Sequence, residues 1–229
     1  MTRKSTIRSL ETPPPSALAQ SNPGVESSFA LAAESLTGPG SFQRLRRFSP
    51  RVAGWIGTLQ EADLESVRIL SRTAQGPVWR GCAIAISKLG NGWFYLLLAA
   101  LLFARWGWGG LRIVLLACVN AAVMHSLYPL IKRRYRRRRP VRVDPELSSL
   151  LATLDEHSFP SGHTMTLSAV LTPIVMLWPA MALAGALMWV SLAWSRVATA
   201  HHYPSDVFAG ALLGLGLGYP ISATILSFW

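Results

Sequence analysis

The last 70 residues of the chain, Pro160 to Trp229, carry only two formal charges, Arg196 and Asp206. A water-soluble fold presents polar residues on every exposed helix face, and this segment does not have them. Only 14% of the 229 residues are charged and 51% are hydrophobic, whereas an average soluble protein has roughly 25% charged residues. The sequence therefore predicts a lipid-solvated domain and excludes disordered, collagen-like and disulfide-framework classes.

Uncharged runs divide this domain into candidate membrane spans, each of which needs about 20 residues. The 36 uncharged residues 160–195 are long enough for two spans. We expect the break at Trp178-Pro179, because proline disfavours a helical conformation in the residue before it. The predicted fold is an all-α integral-membrane bundle of about five transmembrane helices. Its spans are residues 89–103 extended back to residue 82, 113–131, 160–178, 179–195 and 207–229.

The N-terminal part of the chain has a different composition. Residues 1–51 contain proline and serine among scattered basic residues, which predicts a flexible basic tail. The tail lacks the continuous apolar core of a secretory signal peptide. In residues 52–76, apolar residues recur at helical spacing among charged ones, which predicts an amphipathic helix at the membrane interface or packed on the bundle. Residues 77–229 are predicted to form the membrane-embedded domain.

Ionisable residues inside a membrane domain indicate function, because a mid-span Arg, Lys or Asp costs about 2.5 to 3.5 kcal/mol to insert. Here they form three clusters, at residues 132–140, 160–163 and 195–206. If the predicted spans alternate in direction, one membrane face holds the end of the second span, the start of the third, the end of the fourth and the start of the fifth. The three clusters lie at these span ends and therefore meet on that face. Their cations, histidines, carboxylate and Ser-Gly helix start predict an anion site suited to phosphate.

The spacing within the clusters is specific. The chain has Lys132, six residues and Arg139-Pro140; then Pro160-Ser161-Gly162-His163; then Ser195-Arg196, five residues, His202, three residues and Asp206. This pattern resembles the three-part signature of the type 2 phosphatidic acid phosphatase family. That family of lipid phosphatases belongs to the acid phosphatase/vanadium haloperoxidase superfamily. The resemblance covers about residues 80–229.

The resemblance implies phosphoryl transfer through a phosphohistidine, with no metal and no cofactor. His202 is the implied nucleophile, Asp206 accepts a hydrogen bond from its other ring nitrogen, and His163 is the implied general acid. Five residues are implied to hold the phosphoryl oxygens: Lys132, Arg139, Ser161, Gly162 and Arg196. The implied substrate is a lipid phosphate or diphosphate, such as phosphatidate, phosphatidylglycerol phosphate, a polyprenyl (di)phosphate or lipid A.

Other histidines and polar residues have plainer interpretations. His201 is the alternative nucleophile, and only the spacing to Arg196 and Asp206 favours its neighbour. Asn120 and His125 lie inside the second span and are interpreted as interhelical hydrogen-bond partners. His157, together with Asp155 and Glu156, is interpreted as part of a solvated loop, with contact to a substrate head group as the alternative.

The remaining basic and sulfur-containing residues also need no catalytic role. Five arginines of the basic run fall outside the motif: Arg133, Arg134, Arg136, Arg137 and Arg138. Most of them are interpreted as anchors for anionic lipid or as simply solvated. Cys82 and Cys118 are interpreted as small buried hydrophobic residues.

Two other functions fit parts of the pattern. One is a lipid-phosphate binding or transport protein that kept the fold without the chemistry, and the other is a vanadium haloperoxidase. Nucleic acid is not an expected partner, because the arginine run adjoins a span and lacks interleaved aromatic residues beyond Tyr135. The expected partners are a lipid phosphate and membrane lipids, with the oligomeric state left open. We expect a multi-pass protein of the cell (inner) membrane whose site faces the cytoplasm, following the positive-inside rule.

Overall fold

The computed structural model describes residues 50–152 and 155–229. The predicted flexible tail covers residues 1–51, and residues 1–49 of it lie outside the described residues. Within these two ranges the regular elements are all helical, which confirms the predicted all-α class. They are α1 (Pro50–Thr73), α2 (Pro77–Leu89), α3 (Trp93–Tyr135), α4 (Pro140–Val143), α5 (Gly162–Leu177), a 3₁₀ turn (Pro179–Met181), α6 (Ala182–Ala198) and α7 (Pro204–Leu226).

The first predicted span is not a single helix. α2 ends before Gly90-Asn91-Gly92, and α3 begins at Trp93. Gly92 has a φ of 131°, a backbone conformation that glycine adopts far more readily than other residues. The prediction joined the two helices because hydropathy does not register a backbone break, so the proposed continuous helix over residues 82–103 is wrong.

α3 reverses its direction at Gly107, where φ is 56° and ψ is −130°. A Cβ atom built on Gly110 would lie 2.2 Å from the carbonyl oxygen of Leu102, eight residues earlier. Such an approach is impossible in a straight helix, in which eight residues span about 12 Å. Residues 93–106 and 108–135 are therefore two antiparallel arms.

Three helical segments of the described chain are long and apolar enough to cross a membrane: Trp93–Tyr135, Pro179–Ala198 and Pro204–Leu226. α5 is also apolar but shorter. The total of five predicted spans is reached only when α5 and both arms of α3 are counted. The expected break at Trp178-Pro179 is confirmed, because α5 ends at Leu177 and a 3₁₀ turn precedes α6.

α5 and α7 pack closely because one face of α7 carries glycine at every fourth position. A Cβ atom on Gly210 would lie 2.6 Å from the carbonyl oxygen of Ser161, and one on Gly214 would lie 2.2 Å from that of Met165. Small residues at this spacing allow helix backbones to approach each other in membranes. The contact fixes the start of α5 against the start of α7, where two of the three polar clusters lie.

The bundle buries polar side chains and exposes apolar ones. Asn120 is fully buried and donates to the carbonyl oxygen of Ala169 at 3.0 Å and to Ser222 Oγ at 2.9 Å, which confirms its interhelical role. Leu183 and Phe208, by contrast, are 72% and 61% exposed. This distribution suits a surface that faces lipid.

Two sequence interpretations fail because an apolar environment in a membrane protein does not require burial. Cys82 and Cys118 are free and exposed, although both were expected to be buried. His125 bonds within its own helix, because its Nδ1 donates to the carbonyl oxygen of Ala121 at 2.9 Å. Composition alone cannot predict this, because Cys118 and His125 line a cavity and a membrane helix can be apolar on every face.

α1 packs against α6 and α7. Val67 is fully buried in this contact, whereas Leu59 and Ile69 remain exposed. Arg68 Nε donates to Asp144 Oδ2 at 2.6 Å, which ties α1 to the segment after α4. Of the two alternatives that the sequence left open for this helix, the membrane interface or packing on the bundle, the structure shows packing on the bundle.

Candidate active site

The turn that follows α3 carries the first polar cluster back over the bundle. Arg136 ends the helix in the left-handed conformation, with a φ of 50° and an N–H that donates to the carbonyl oxygen of Lys132 at 2.9 Å. A residue in this conformation is a common way to end a helix. Arg139 then precedes α4, so Lys132 and Arg139 stand on either side of one tight turn.

Six of the eight predicted site residues line a single cavity of about 1090 Å³. These are Lys132, Arg139, Gly162, His163, Arg196 and His202. The other two, Ser161 and Asp206, have 0% exposure, and the Ser161 N–H donates to the Asp206 carbonyl oxygen at 3.0 Å. The three clusters meet at one end of the bundle, as the alternation of spans predicted.

Two of the predicted phosphate ligands are held together by a carboxylate. Asp155 Oδ2 accepts from Lys132 Nζ at 2.7 Å, and its Oδ1 accepts from an Arg139 guanidinium N–H at 2.8 Å. Burial alone would raise the pKa of Asp155, but the hydrogen bonds from Lys132 and Arg139 outweigh it and hold that pKa below its usual value. Asp155 is thus a negative charge located where an anion would bind, and the purely solvated role expected for it is wrong.

Two other groups at the site carry buried atoms that are not hydrogen-bonded within the described part of the chain. Arg196 donates one N–H to Ser87 Oγ at 2.5 Å, while its buried Nε has no partner among the described residues. Ser161 Oγ is also buried and has no partner in these same ranges. Gly162 opens α5, and a Cβ on it would make only ordinary contact with the Tyr128 ring at 3.5 Å. Unpaired buried donors are suited to binding an anion, and Ser161 lies in addition at a helix start.

His202 is oriented differently from the expectation. Its Nδ1 donates to the carbonyl oxygen of Ser158 at 2.8 Å and lies 3.7 Å from Asp206 Oδ2, beyond hydrogen-bond distance. Asp206 Oδ2 instead accepts the Tyr203 N–H at 2.9 Å. The expected direct hydrogen bond between Asp206 and His202 is therefore absent, because a main-chain carbonyl takes its place. The bond fixes the Nδ1–H tautomer and leaves Nε2 with a free electron pair.

The environment of His202 keeps its ring uncharged. Complete burial, followed by the cations Arg196 and Arg139, holds the pKa of His202 well below its usual value of 6.5. The neighbouring His201 is absent from the cavity lining, and its Nε2 donates to the carbonyl oxygen of Leu151 at 3.0 Å. Of the two adjacent histidines, only His202 lines the cavity.

His163 is held by a residue that sequence analysis missed. Its Nε2 donates to Asn91 Oδ1 at 2.7 Å, across the break between α2 and α3. Asn91 also lines the cavity. No sequence signal links a polar residue in a Gly-Asn-Gly turn to a histidine 72 positions later, so only the folded chain brings them together.

Arg137 is a second residue whose role the sequence did not indicate. Its guanidinium donates to Asp206 Oδ1 at 2.7 Å and to Asp63 Oδ2 at 2.7 Å. It also stacks over the Tyr203 ring, with Cζ 3.8 Å from the centroid. Arg137 is therefore an exception to the interpretation of most of these arginines as lipid anchors or solvated residues. The sequence could not separate it from its neighbours, because each of them is also an arginine.

The remainder of the cavity wall is apolar. It extends between both arms of α3 and α5 and is lined by Leu98, Leu102, Val114, Ala117, Val170 and Ile174. Val114 and Lys132 both line it, and 18 helical residues span about 27 Å. That length is close to the roughly 30 Å thickness of a membrane hydrocarbon core. The site therefore joins one charged end to a long apolar channel.

Within the described ranges, no group of three or more His, Cys, Asp or Glu side chains is arranged to hold a metal ion. The cations and histidines at the charged end are the groups available for chemistry. Together they can bind an anion, supply a nucleophilic ring nitrogen and exchange protons.

Known proteins resemble this chain in sequence and in fold. It is 34% identical over 166 residues to the decaprenylphosphoryl-5-phosphoribose phosphatase of Mycobacterium tuberculosis, over 66% of this chain and 84% of that protein. It is 35% identical over 89 residues to the lipid A 1-phosphatase of Rhizobium johnstonii, over 37% and 36% of the two chains. The fold matches the first transmembrane PAP2 type phosphatidylglycerolphosphate phosphatase from Bacillus subtilis with a TM-score of 0.55 and 24% identity, over 75% of this chain and 88% of that one.

A second crystal structure, that of Aquifex aeolicus LpxE, matches with a TM-score of 0.54 and 23% identity, over 70% of this chain and 94% of that one. These likenesses agree with the helical membrane bundle described above. The family model of the PAP2 superfamily matches residues 109–227, a range that contains all eight predicted site residues. The chain therefore belongs to the PAP2 superfamily.

Proposed function

We propose that this protein is an integral-membrane lipid phosphatase that transfers a phosphoryl group first to His202 and then to water. One observation carries the proposal: an uncharged, oriented imidazole stands with three cations at the charged end of a long apolar cavity. The charged end suits a phosphate, and the apolar channel suits the chain of a lipid. The activities of the relatives from Mycobacterium tuberculosis and Rhizobium johnstonii support the same class of reaction.

The first step forms a bond between His202 Nε2 and phosphorus while the bond from phosphorus to the lipid oxygen breaks. Lys132, Arg139 and Arg196 stabilise the charge on the three equatorial oxygens, which is the main catalytic requirement of phosphoryl transfer. The Ser161 hydroxyl and the Gly162 N–H donate to the same oxygens. The Ser158 carbonyl, with Asp206 beyond it, stabilises the positive charge that develops on the imidazole.

His163 protonates the departing lipid oxygen, and Asn91 orients its ring by accepting one N–H. In the second step His163 takes a proton from water, the water oxygen bonds to phosphorus, and the bond to His202 Nε2 breaks. The products are the dephosphorylated lipid and inorganic phosphate. No step requires a metal ion.

The substrate is a phosphate or diphosphate on a long-chain lipid. Candidates are phosphatidate, phosphatidylglycerol phosphate, polyprenyl (di)phosphates and lipid A. The polyprenyl class is favoured because the channel is long and the Mycobacterium tuberculosis relative is named for a decaprenyl substrate. A panel of these lipids compared at equal concentration will identify the preferred class.

The nucleophile is tested with purified wild-type protein, His202→Ala and the adjacent control His201→Gln. Phosphate release is measured in EDTA with the lipid panel. We expect His202→Ala to lose at least about 10³-fold in kcat, as removal of a nucleophile does, and His201→Gln to stay within about threefold. Wild-type protein given ³²P-labelled substrate should yield an acid-labile, base-stable phosphoprotein that the His202→Ala variant lacks. Undiminished release by that variant would overturn the proposal, as would binding of lipid phosphate by the wild type without any release.

The site is further proposed to face the cytoplasm. Four arginines around it are exposed and lie outside the cavity lining: Arg134, Arg136, Arg138 and Arg142. Such an excess of basic residues marks cytoplasmic loops. In a C82S/C118S background, Glu156→Cys near the site and Ala180→Cys at the opposite end provide matched labels. In intact cells, an impermeant thiol reagent should modify only the cysteine at 180, and the reverse pattern would show that the site faces outwards.

A further inference from the structure

Arg137 contacts the region of the nucleophile through both its side chain and its main chain. The guanidinium donates to Asp206 Oδ1 at 2.7 Å, and the Arg137 carbonyl oxygen accepts the Ser158 N–H at 2.8 Å. Ser158 in turn accepts the His202 Nδ1–H at 2.8 Å through its own carbonyl oxygen. One residue therefore holds both groups that lie against Nδ1 of the proposed nucleophile.

Asp63 on α1 holds Arg137 from the other side. Its Oδ2 accepts from Arg137 at 2.7 Å, and its Oδ1 accepts the Ser205 N–H at 3.0 Å at the start of α7. Asp63 Oδ2 also accepts from the Ser205 hydroxyl. The Asp63 side chain is only 9% exposed. A carboxylate on α1 thus fixes both the guanidinium and the helix start that carries Asp206.

We infer that Arg137, anchored by Asp63 of α1, is a positioning residue that holds Asp206 and the Ser158 carbonyl against His202 during phosphoryl transfer. The inference rests on the proposed function. It extends the catalytic unit beyond residues 109–227, the range that the family model matches, to a helix outside that range. α1 therefore completes the site in addition to covering the bundle.

The charges explain why Asp206 needs this support. Asp206 has 0% exposure, and an isolated buried carboxylate takes up a proton instead of remaining charged. Arg137 supplies the compensating charge through a planar guanidinium that contacts Asp206 and Asp63 at the same time. Lysine carries the same charge but cannot make this forked contact. Without Arg137, Asp206 either stays charged with no cation beside it or takes up a proton and becomes neutral. In both cases Asp206 stabilises an imidazolium on His202 less well.

The chain offers a matched control for the ion pair. Arg68, also on α1, donates to Asp144 at 2.6 Å and joins the same helix to the segment after α4. Neither Arg68 nor Asp144 is hydrogen-bonded to Asp206, Ser158 or His202. Loss of the Arg68–Asp144 pair removes a comparable attachment of α1 and leaves the contacts of Asp63 and Arg137 in place.

The experiment compares four variants of the full-length protein: Asp63→Asn, Arg137→Gln, Arg137→Lys and Arg68→Gln. For each variant, kcat, KM and the inhibition by inorganic phosphate are measured with one lipid phosphate as substrate. Hydrogen-bond partners that orient metal-bound histidines are typically worth about 10- to 100-fold, and we apply the same range to a histidine that reacts. We expect kcat to fall about 100-fold in Arg137→Gln, about tenfold in Asp63→Asn and to an intermediate extent in Arg137→Lys. KM and phosphate inhibition should change less than about twofold, and Arg68→Gln should retain wild-type kcat.

A double-mutant cycle with Asp206→Asn separates positioning from a general loss of structure. If Arg137 acts through Asp206, Arg137→Gln should reduce kcat only slightly further in the Asp206→Asn background. If the effects of Arg137→Gln and Asp206→Asn on kcat are independent and multiply, the inference is overturned. Equal losses of kcat in Asp63→Asn and Arg68→Gln would also overturn it. If Arg137→Gln does not fold, Asp63→Asn and Arg137→Lys decide by the same criteria. A wild-type protein that releases no phosphate from any lipid would instead refute the proposed function.

Discussion

At the scale of single residues, Asp155 is paired with two of the cations that are proposed to bind the substrate phosphate. It accepts hydrogen bonds from Lys132 at 2.7 Å and from Arg139 at 2.8 Å and is 39% exposed. A partly exposed ion pair is worth up to about 1 kcal/mol, which corresponds to about fivefold in affinity. We expect Asp155→Asn to lower KM and the inhibition constant of inorganic phosphate by about fivefold, with kcat within about twofold, in steady-state assays.

Glu146→Gln is the control for this substitution, because it removes an exposed carboxylate that does not line the cavity. It should leave both constants unchanged. A rise in KM for Asp155→Asn would mean that Asp155 aligns the two cations for the substrate instead of competing with it.

His201 makes stability depend on pH. Burial, followed by the nearby Arg196, lowers the pKa of His201 from 6.5 to about 4. Between these values the unfolded chain binds more protons than the folded one, so stability is lost as the pH falls from about 6.5 towards 4. We expect the midpoint of thermal inactivation to fall from pH 7 to pH 5, and to fall less in His201→Gln. His202 contributes in the same direction, so the variant keeps part of the slope, whereas an unchanged slope would contradict the assignment.

At the scale of helices, the glycine face of α7 sets the distance to α5. A Cβ atom on Gly214 would lie 2.2 Å from the Met165 carbonyl oxygen, whereas one on Gly216 meets nothing within 4 Å. We expect Gly214→Ala to destabilise the protein by about 1 to 3 kcal/mol, as overpacking does. Gly216→Ala should be neutral or slightly stabilising, because alanine favours helix. Thermal unfolding in detergent measures both, and equal midpoints would show that the two helices can separate at no cost.

At the scale of the whole molecule, the apolar channel and the apolar exterior serve different purposes. Ala117 lines the channel and is 6% exposed, while Leu183 faces outwards and is 72% exposed. We expect Ala117→Trp to reduce kcat/KM at least about tenfold for a long-chain lipid phosphate, because loss of packed apolar contact costs more than 1 kcal/mol. A short-chain phosphate ester should be hydrolysed as by the wild type.

Leu183→Trp adds the same side chain to the outer surface and should change neither substrate. Val170→Phe provides a second block from α5 if the first variant is unstable. Equal losses on long and short substrates would place the lipid chain outside this channel.

Much of the fold and of the site follows from the sequence alone. A run of 70 residues with two charges requires a lipid-solvated helical bundle, since no other solvent suits it. The alternation of spans brings Lys132, His163 and His202 to one face without further information. The break at Trp178-Pro179 is equally local, because proline acts on the residue beside it.

Only the tertiary structure decided which partners these residues have. Asp206 bonds to Arg137 and not to His202, Asn91 reaches His163 across a glycine turn, and Asp155 closes over the cations. Spacing along the chain fixes which face of a helix a residue occupies, but not the packing between helices distant in sequence. A hydrogen bond depends on tenths of an ångström between such elements, so their packing determined which contacts formed.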